Sequence, residues 1–224
     1  MKTLEMLGGD IRKALGHGIS FSGGAISDPV PLLFAEEADL LGNVSLRRRR
    51  EFAWGRHHAH EALRGLGVPP VPILSRVDRV PLWPSGVVGS ISHSSSHCAA
   101  VAGRSDDVLA LGIDVEDEEA LGADLLRIIC TPEEMERGEW CSNRLGSKLI
   151  LVIKEAVYKS YASTTGKLLG FQDLNVTMDD LTGVFKAEIG NSEKLVNCGS
   201  RSINGIYLPF AGGVLAIAAR FRGE

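Results

Sequence analysis

The chain has 224 residues, 44% of them apolar, enough to bury the core of one large domain or two small ones. Its formal charge of −4 is uneven: residues 1–108 carry 12 Lys/Arg against 11 Asp/Glu, and residues 109–224 carry 12 against 17. That balance excludes a broad nucleic-acid face. The lack of any run of 18 apolar residues and of an apolar leader leads us to expect a soluble, cytoplasmic protein away from membranes.

In chain order, Leu4, Leu7, Ile11 and Leu15 predict an amphipathic helix over Leu4–Leu15, stopped by Gly16 and Gly18, and Ile19–Ile26 reads as a strand. Ala35–Leu41 is a short acidic helix. Ser45 can cap a longer one that runs to about Leu66 and ends at Gly67 and two prolines. Residues 69–86 are rich in turn signals. Val87–Ser92 and Cys98–Ala102 predict paired strands, with Val108–Val115 as a third. Helices follow at about 122–128, 132–140 and 145–163, then strands near 174–178, 184–189, 205–210 and 213–221. Cys98, Cys130, Cys141 and Cys198 show no CxxC spacing and are expected as reduced thiols.

Two segments carry chemistry. Gly112-Ile113-Asp114-Val115-Glu116 follows an apolar run, so Asp114 and Glu116 project from the same face of a buried strand. Two close carboxylates repel unless a cation lies between them, and hard oxygen ligands suit Mg²⁺ or Mn²⁺. In Lys154-Glu155-Ala156-Val157-Tyr158-Lys159, Glu155 and Lys159 share a helix face in the favourable Glu-before-Lys order. An isolated pair of that kind is usually a surface ion pair. Beside a metal, an acid and an ammonium are equipment for phosphoryl chemistry. Within the Arg47–Arg50 run, Arg48 lies eight residues before Arg56, about 12 Å along a helix, a separation that suits two phosphates of one extended ligand. His57, His58 and His60 have no Cys or acidic partner placed to complete a zinc set.

Together these segments resemble the paired signatures of the phosphopantetheinyl transferases, in the branch that includes the enterobactin synthase component D type and the actinobacterial polyketide-activating type. The likeness runs from about Val30 to Phe221. Its other marks are Glu51-Phe52-Ala53-Trp54-Gly55-Arg56, Leu82-Trp83-Pro84-Ser85-Gly86-Val87 and Gly89-Ser90-Ile91-Ser92-His93-Ser94. The resemblance implies an α+β fold of two similar halves, residues 1–108 and 109–224. Each half would have a small, mainly antiparallel sheet and packed helices, related by a pseudo-two-fold with the ligand in the cleft between.

The activity implied is transfer of 4′-phosphopantetheine from coenzyme A to a serine of an apo carrier domain of a fatty acid, polyketide or nonribosomal peptide synthase. By the same resemblance, Asp114, Glu116 and Glu155 hold Mg²⁺. Glu155 is the catalytic base, and Lys159, with Lys154, stabilises the transferring phosphate. Arg48, Arg56, Ser92 and His93 contact coenzyme A phosphates, and a bound phosphate would raise the His93 pKa. Ser75, Arg76, Val77, Asp78 and Arg79 form the adenine-side loop, where relatives often carry a glycine that this chain lacks between Ser75 and Pro81. Asp114, Glu155 and Lys159 also meet the ligand, and Leu168, with Leu169 and Phe171, walls the pantetheine arm. A monomer is expected, with no nucleic-acid partner. The rival readings are a metal-dependent phosphodiesterase or nucleotide hydrolase acting through water, and a non-catalytic coenzyme A-binding module.

Overall fold

The computed structural model describes residues 1–16, 18–76, 79–119, 121–138, 145–190 and 201–223. Two helices of 20 residues dominate it. The Ser45 hydroxyl starts α3 (Leu46–Gly65) by accepting from the Arg48 amide at 3.2 Å, and Gly67, at φ 69°, turns the chain away beyond its end. The second, α6 (Gly146–Thr165), ends at Gly166 in the left-handed conformation that glycine adopts without a Cβ clash.

Each long helix covers an antiparallel sheet. The first sheet has the order β1 (Ile19–Ala25), β5 (His97–Arg104), β4 (Val87–His93). The second runs β6 (Val108–Asp117), β10 (Gly213–Phe221), β9 (Ser202–Phe210), β8 (Val184–Ile189), β7 (Leu174–Asp179). Period-two alternation then sorts the side chains into layers. Ala100 and Ala102 of β5 pack beneath Ala59, Ala62 and Leu63 of α3, while Ala99 and Val101 join Leu111, Ile113, Val115, Leu215 and Ile217 between the sheets. Val214, Ala216 and Ala218 face the opposite way, toward Leu149, Val152, Ile153 and Ala156 of α6. The result is a helix–sheet–sheet–helix stack. Each fully buried Ile or Leu in its middle layer contributes about 1.5–3 kcal/mol.

The contact that positions the site is between α6 and β6. A Cβ on Gly112 would lie 1.9 Å from the Ala156 carbonyl oxygen and 2.5 Å from the Ser160 amide nitrogen. The helix backbone therefore rests directly on the strand, and no side chain fits there. Asp114 and Glu116, two and four residues further along the same face, are brought under the helix by the same approach.

Several boundaries differ from expectation. The first helix divides into a 3-10 turn over Leu4–Leu7 and α1 (Gly8–Leu15). The acidic helix α2 spans Ala35–Asp39. The turn-rich segment contains a small ribbon, β2 (Leu74–Ser75) paired with β3 (Pro81–Leu82). β6 is not the third strand beside β4 and β5. β1 takes that place, and β6 pairs with β10, because a strand buried on both faces belongs between the layers rather than on a half-exposed edge. The shorter helices are α4 (Ala123–Ile129) and α5 (Pro132–Arg137); the expected end of the latter near 140 lies outside the described residues. Cys98 and Cys130 are buried, while positions 141 and 198 lie outside the described residues. Among those residues no helix is long and apolar enough to cross a membrane.

Candidate active site

A cavity of about 590 Å³ opens between α3, the β2–β3 ribbon and the end of β4. It gathers Arg48, Arg56, Ser75, Arg76, Arg79 and His93 in one lining. Arg56 is 5% exposed. Its Nη2 donates to Ser75 Oγ at 2.9 Å, its guanidinium carbon lies 4.4 Å from the centre of the Phe52 ring, and its buried Nε has no hydrogen-bond partner, with Glu37 Oε1 3.9 Å away. Burial pulls its pKa down to about 10 against the opposing pull of Glu37, so it stays cationic with a donor to spare. Arg48 Nη1 donates to His93 Nε2 at 2.9 Å, which makes that nitrogen an acceptor and the imidazole neutral. Burial, and then Arg48 and Lys159 against the opposing Glu51, hold the His93 pKa below its ordinary value. The positive charge at this end therefore comes from the arginines and not from His93.

The next residue back along β4 opens the second part of the site. Ser92 Oγ donates to Asp114 Oδ1 at 2.7 Å and accepts from Lys159 Nζ at 2.9 Å. Lys159 also reaches Asp114 Oδ1 at 2.6 Å and the Ile113 carbonyl at 3.1 Å. Lys148 Nζ donates to Glu116 Oε2 at 2.9 Å. The carboxylate repulsion expected from the sequence is thus relieved by two lysines of α6. Glu155 completes the group: burial raises its pKa first, and the negative charges of Asp114 and Glu116 raise it further against Lys159.

As they stand, no three His, Cys, Asp or Glu side chains among the described residues group closely enough to hold a metal ion. The chemistry still suits one. Asp114 Oδ2 is buried without a partner, and Glu155 feels two neighbouring carboxylates, a shortage of positive charge that a hard divalent cation would fill.

Comparison with known proteins decides the family. Residues 36–103 match the 4′-phosphopantetheinyl transferase N-terminal domain, and residues 110–200 match the 4′-phosphopantetheinyl transferase superfamily. The chain is 39% identical to the 4′-phosphopantetheinyl transferase PptT of Mycobacterium tuberculosis, over 70% of this chain and 71% of that protein. It is 35% identical to the 4′-phosphopantetheinyl transferase Svp of Streptomyces mobaraensis, over 74% and 69%, and 33% identical to enterobactin synthase component D of Salmonella typhimurium, over 65% and 62%. The chain belongs to the 4′-phosphopantetheinyl transferase superfamily.

In this phosphopantetheinyl transferase the structure moves two expected residues out of the site. Lys154 is 0% exposed and its ammonium is fully taken: Glu134 Oε2 at 2.7 Å and the carbonyls of Ile129, Phe171 and Leu174 at 2.8–2.9 Å. Glu134 meanwhile closes a capping box with Thr131 and accepts from the Val176 amide at 2.7 Å. Lys154 is a structural pin between α6, α5 and β7, because its side chain leaves the helix about 100° from that of Glu155. Leu168 is 76% exposed; it is Leu169 and Phe171 that line a pocket of about 250 Å³ with Glu155 and Tyr158, where Lys154 contributes to the wall while its ammonium stays bound to Glu134 and the three carbonyls. Val77 and Asp78 lie outside the described residues. Arg79, where the family resemblance implies glycine nearby, adopts φ 67°, a left-handed conformation costing roughly 1–2 kcal/mol for a residue with a Cβ.

The structure also adds residues that the motifs did not mark. Glu37 is completely buried and accepts from His60 Nε2 at 2.9 Å and the Ile73 amide at 2.8 Å, tying α2, α3 and the approach to Ser75 together beneath Arg56. Asp117 collects Ser94 Oγ at 2.7 Å, Ser96 Oγ at 2.5 Å, His97 Nδ1 at 2.9 Å and the Ser95 amide and hydroxyl. Burial would raise the Asp117 pKa, but these donors hold it far below the ordinary carboxylate range. The serine-rich turn after His93 is thereby fastened to the end of β6, and His97 has a definite role in it.

Proposed function

We propose that the protein transfers 4′-phosphopantetheine from coenzyme A to a serine of an apo carrier domain, releasing adenosine 3′,5′-bisphosphate. The observation that carries this reading is the junction at Ser92 and His93. Consecutive residues of one strand join a cavity lined by arginines to a cluster of three carboxylates and a lysine.

In this reading Arg48, Arg56 and His93 hold the phosphates of the nucleotide end, with Arg76 and Arg79 beside them. Asp114, Glu116 and Glu155 would hold Mg²⁺, or Mn²⁺, which when bound supplies neutralising charge to the pyrophosphate. Glu155, its pKa raised toward neutrality, takes the proton of the carrier serine hydroxyl. The serine oxygen bonds to the phosphorus that bears pantetheine, and the pyrophosphate P–O bond breaks toward the adenosine side. Lys159, fixed by three partners at 2.6–3.1 Å, stabilises charge on the transferring group. The carrier serine is itself the nucleophile. Carrier domains of fatty acid, polyketide and nonribosomal peptide synthases are the partner class.

The test is intact mass spectrometry of a panel of apo carrier domains incubated with coenzyme A, Mg²⁺ and the protein. The expected result is one phosphopantetheine group on one serine of at least one carrier. Consumption of coenzyme A without any carrier would favour the hydrolase reading, and coenzyme A binding without turnover the binding-module reading.

A further inference from the structure

Lys148 is outside every motif, yet it is the residue that meets Glu116. Its side chain is 11% exposed, and its Nζ lies 2.9 Å from Glu116 Oε2. Helical spacing puts it in the working stripe of α6. Lys148, Glu155 and Lys159 are seven and four residues apart, and the eleven-residue interval between the two lysines closes to about 20° around the helix axis. The three side chains therefore face β6 together, Lys148 over Glu116 and Lys159 over Asp114. At its N-terminal end the stripe is pinned by Ser147 Oγ, which accepts from the Leu121 amide at 2.9 Å.

The two lysines are held differently. Lys159 is anchored by Ser92, Ile113 and Asp114, whereas among the described residues the Lys148 ammonium has Glu116 as its one hydrogen-bond partner. Three carboxylates, Asp114, Glu116 and Glu155, face two ammonium groups, and Asp114 Oδ2 is fully buried without a hydrogen-bond partner. A divalent cation that engages Glu116 has to share that carboxylate with the ammonium or displace it, and the less anchored ammonium is the one that yields.

We propose that Lys148 is an internal counter-ion for Glu116: it holds the carboxylate in the ligand-free protein and competes with the divalent cation for it, so that metal uptake is an exchange of ammonium for metal. Lys148 acts through Glu116 and is a positioning residue; the inference rests on the assignment of Asp114, Glu116 and Glu155 to the metal.

The experiment titrates Mn²⁺ into the full, ligand-free chain and reads free Mn²⁺ by electron paramagnetic resonance, with no turnover involved. Lys148→Met removes the competing charge and is expected to bind Mn²⁺ about two- to fivefold more tightly than the parent, the upper range of a partly exposed ion pair. Lys148→Arg, which keeps a cation, is expected to restore parent-like affinity. Glu116→Gln is expected to weaken binding and to make the Lys148→Met change silent in the double variant. Unchanged or weaker binding by Lys148→Met, with Glu116→Gln weakened, overturns the role of Lys148 alone. Parent-like binding by Glu116→Gln overturns the metal assignment beneath it. Lys148→Gln repeats the test with a polar side chain should the methionine variant fail to fold by circular dichroism.

Discussion

The two long helices build the two ends of the site by opposite means. Along α3, Arg48 and Arg56 line an open cavity, and Arg56 keeps a donor without a partner. Along α6, Lys148 and Lys159 lie on carboxylates of β6 at 2.9 and 2.6 Å, so the charges are largely cancelled within the protein. Even with Glu51 3.5 Å from Arg48 and Glu37 3.9 Å from Arg56, the arginines of the first region outnumber its carboxylates, which leaves positive charge for an anion. The other is a seam whose charges are paired until a ligand rearranges them. Packing explains the contrast. Gly112 lets α6 rest on the strand backbone itself, whereas α3 meets side chains of its sheet: a Cβ on Gly55 would lie 3.1 Å from a methyl of Ile91.

The comparison can be broken most forcefully at the seam. Asp114→Ala should abolish transfer while leaving coenzyme A bound in the α3 cavity; turnover and coenzyme A calorimetry on the same preparation check both halves of that statement. It should also cost stability, because Lys159 loses its carboxylate. Lys154→Met separates scaffold from chemistry on the same helix. Removing one partner of the fully buried Lys154–Glu134 pair should destabilise the protein by about 3–5 kcal/mol in denaturant unfolding, with kcat per folded molecule retained. A specific loss of kcat without loss of stability would return Lys154 to the catalytic group.

The core side of α3 gives a pH test. His58 Nε2 is buried without a partner, and burial, then His57, pushes its pKa from 6.5 down to about 4. The folded protein therefore binds this proton more weakly than the unfolded chain. The stability His58 contributes is complete above pH 6.5 and drains away as pH falls toward 4, by about 3 kcal/mol for that shift. His58 Nδ1 lies 2.9 Å from Ser22 Oγ, and thermal melts across this window should flatten in His58→Gln, whose amide can still meet that hydroxyl. The smallest effects are expected in the cavity itself. Arg48→Ala, Arg56→Ala and His93→Ala should each weaken coenzyme A by about 1.5–3 kcal/mol, the worth of a charge-assisted hydrogen bond. Dephospho-coenzyme A should be indifferent to the loss of whichever residue holds the 3′-phosphate. If His93→Ala binds both ligands as the parent does, that assignment to His93 falls.

What could be foreseen from the residues follows the range of the forces involved. Helix α3 was legible because its cap and stop signals are local: Ser45 bonds the Arg48 amide, and Gly67 takes a positive φ just beyond the helix. The strand carrying Asp114 and Glu116 was legible from its apolar run. Its sheet was not, since pairing with β10 spans about half the chain and no local pattern encodes it. The same holds for Glu37, Asp117 and Lys148, whose roles come from partners 20–36 residues away. The place of Lys154 was hidden for a different reason: it sits inside the motif, yet the 3.6-residue period sends its side chain in a different direction from that of Glu155.

In the proposed mechanism, proton removal by Glu155 and coenzyme A binding by the α3 cavity are separable. Glu155→Gln tests it most directly, with coenzyme A affinity and transfer rate measured across pH. Gln keeps the size and one oxygen but accepts no proton near neutrality. The expected result is parent-like coenzyme A binding and a turnover loss of about 10²–10⁴-fold. The parent rate should rise with pH through one ionisation above the ordinary carboxylate value, and that ionisation should be absent from the residual activity of the variant. Loss of metal-dependent coenzyme A binding, with turnover recovered at high metal, would contradict it and make Glu155 a ligand rather than the base.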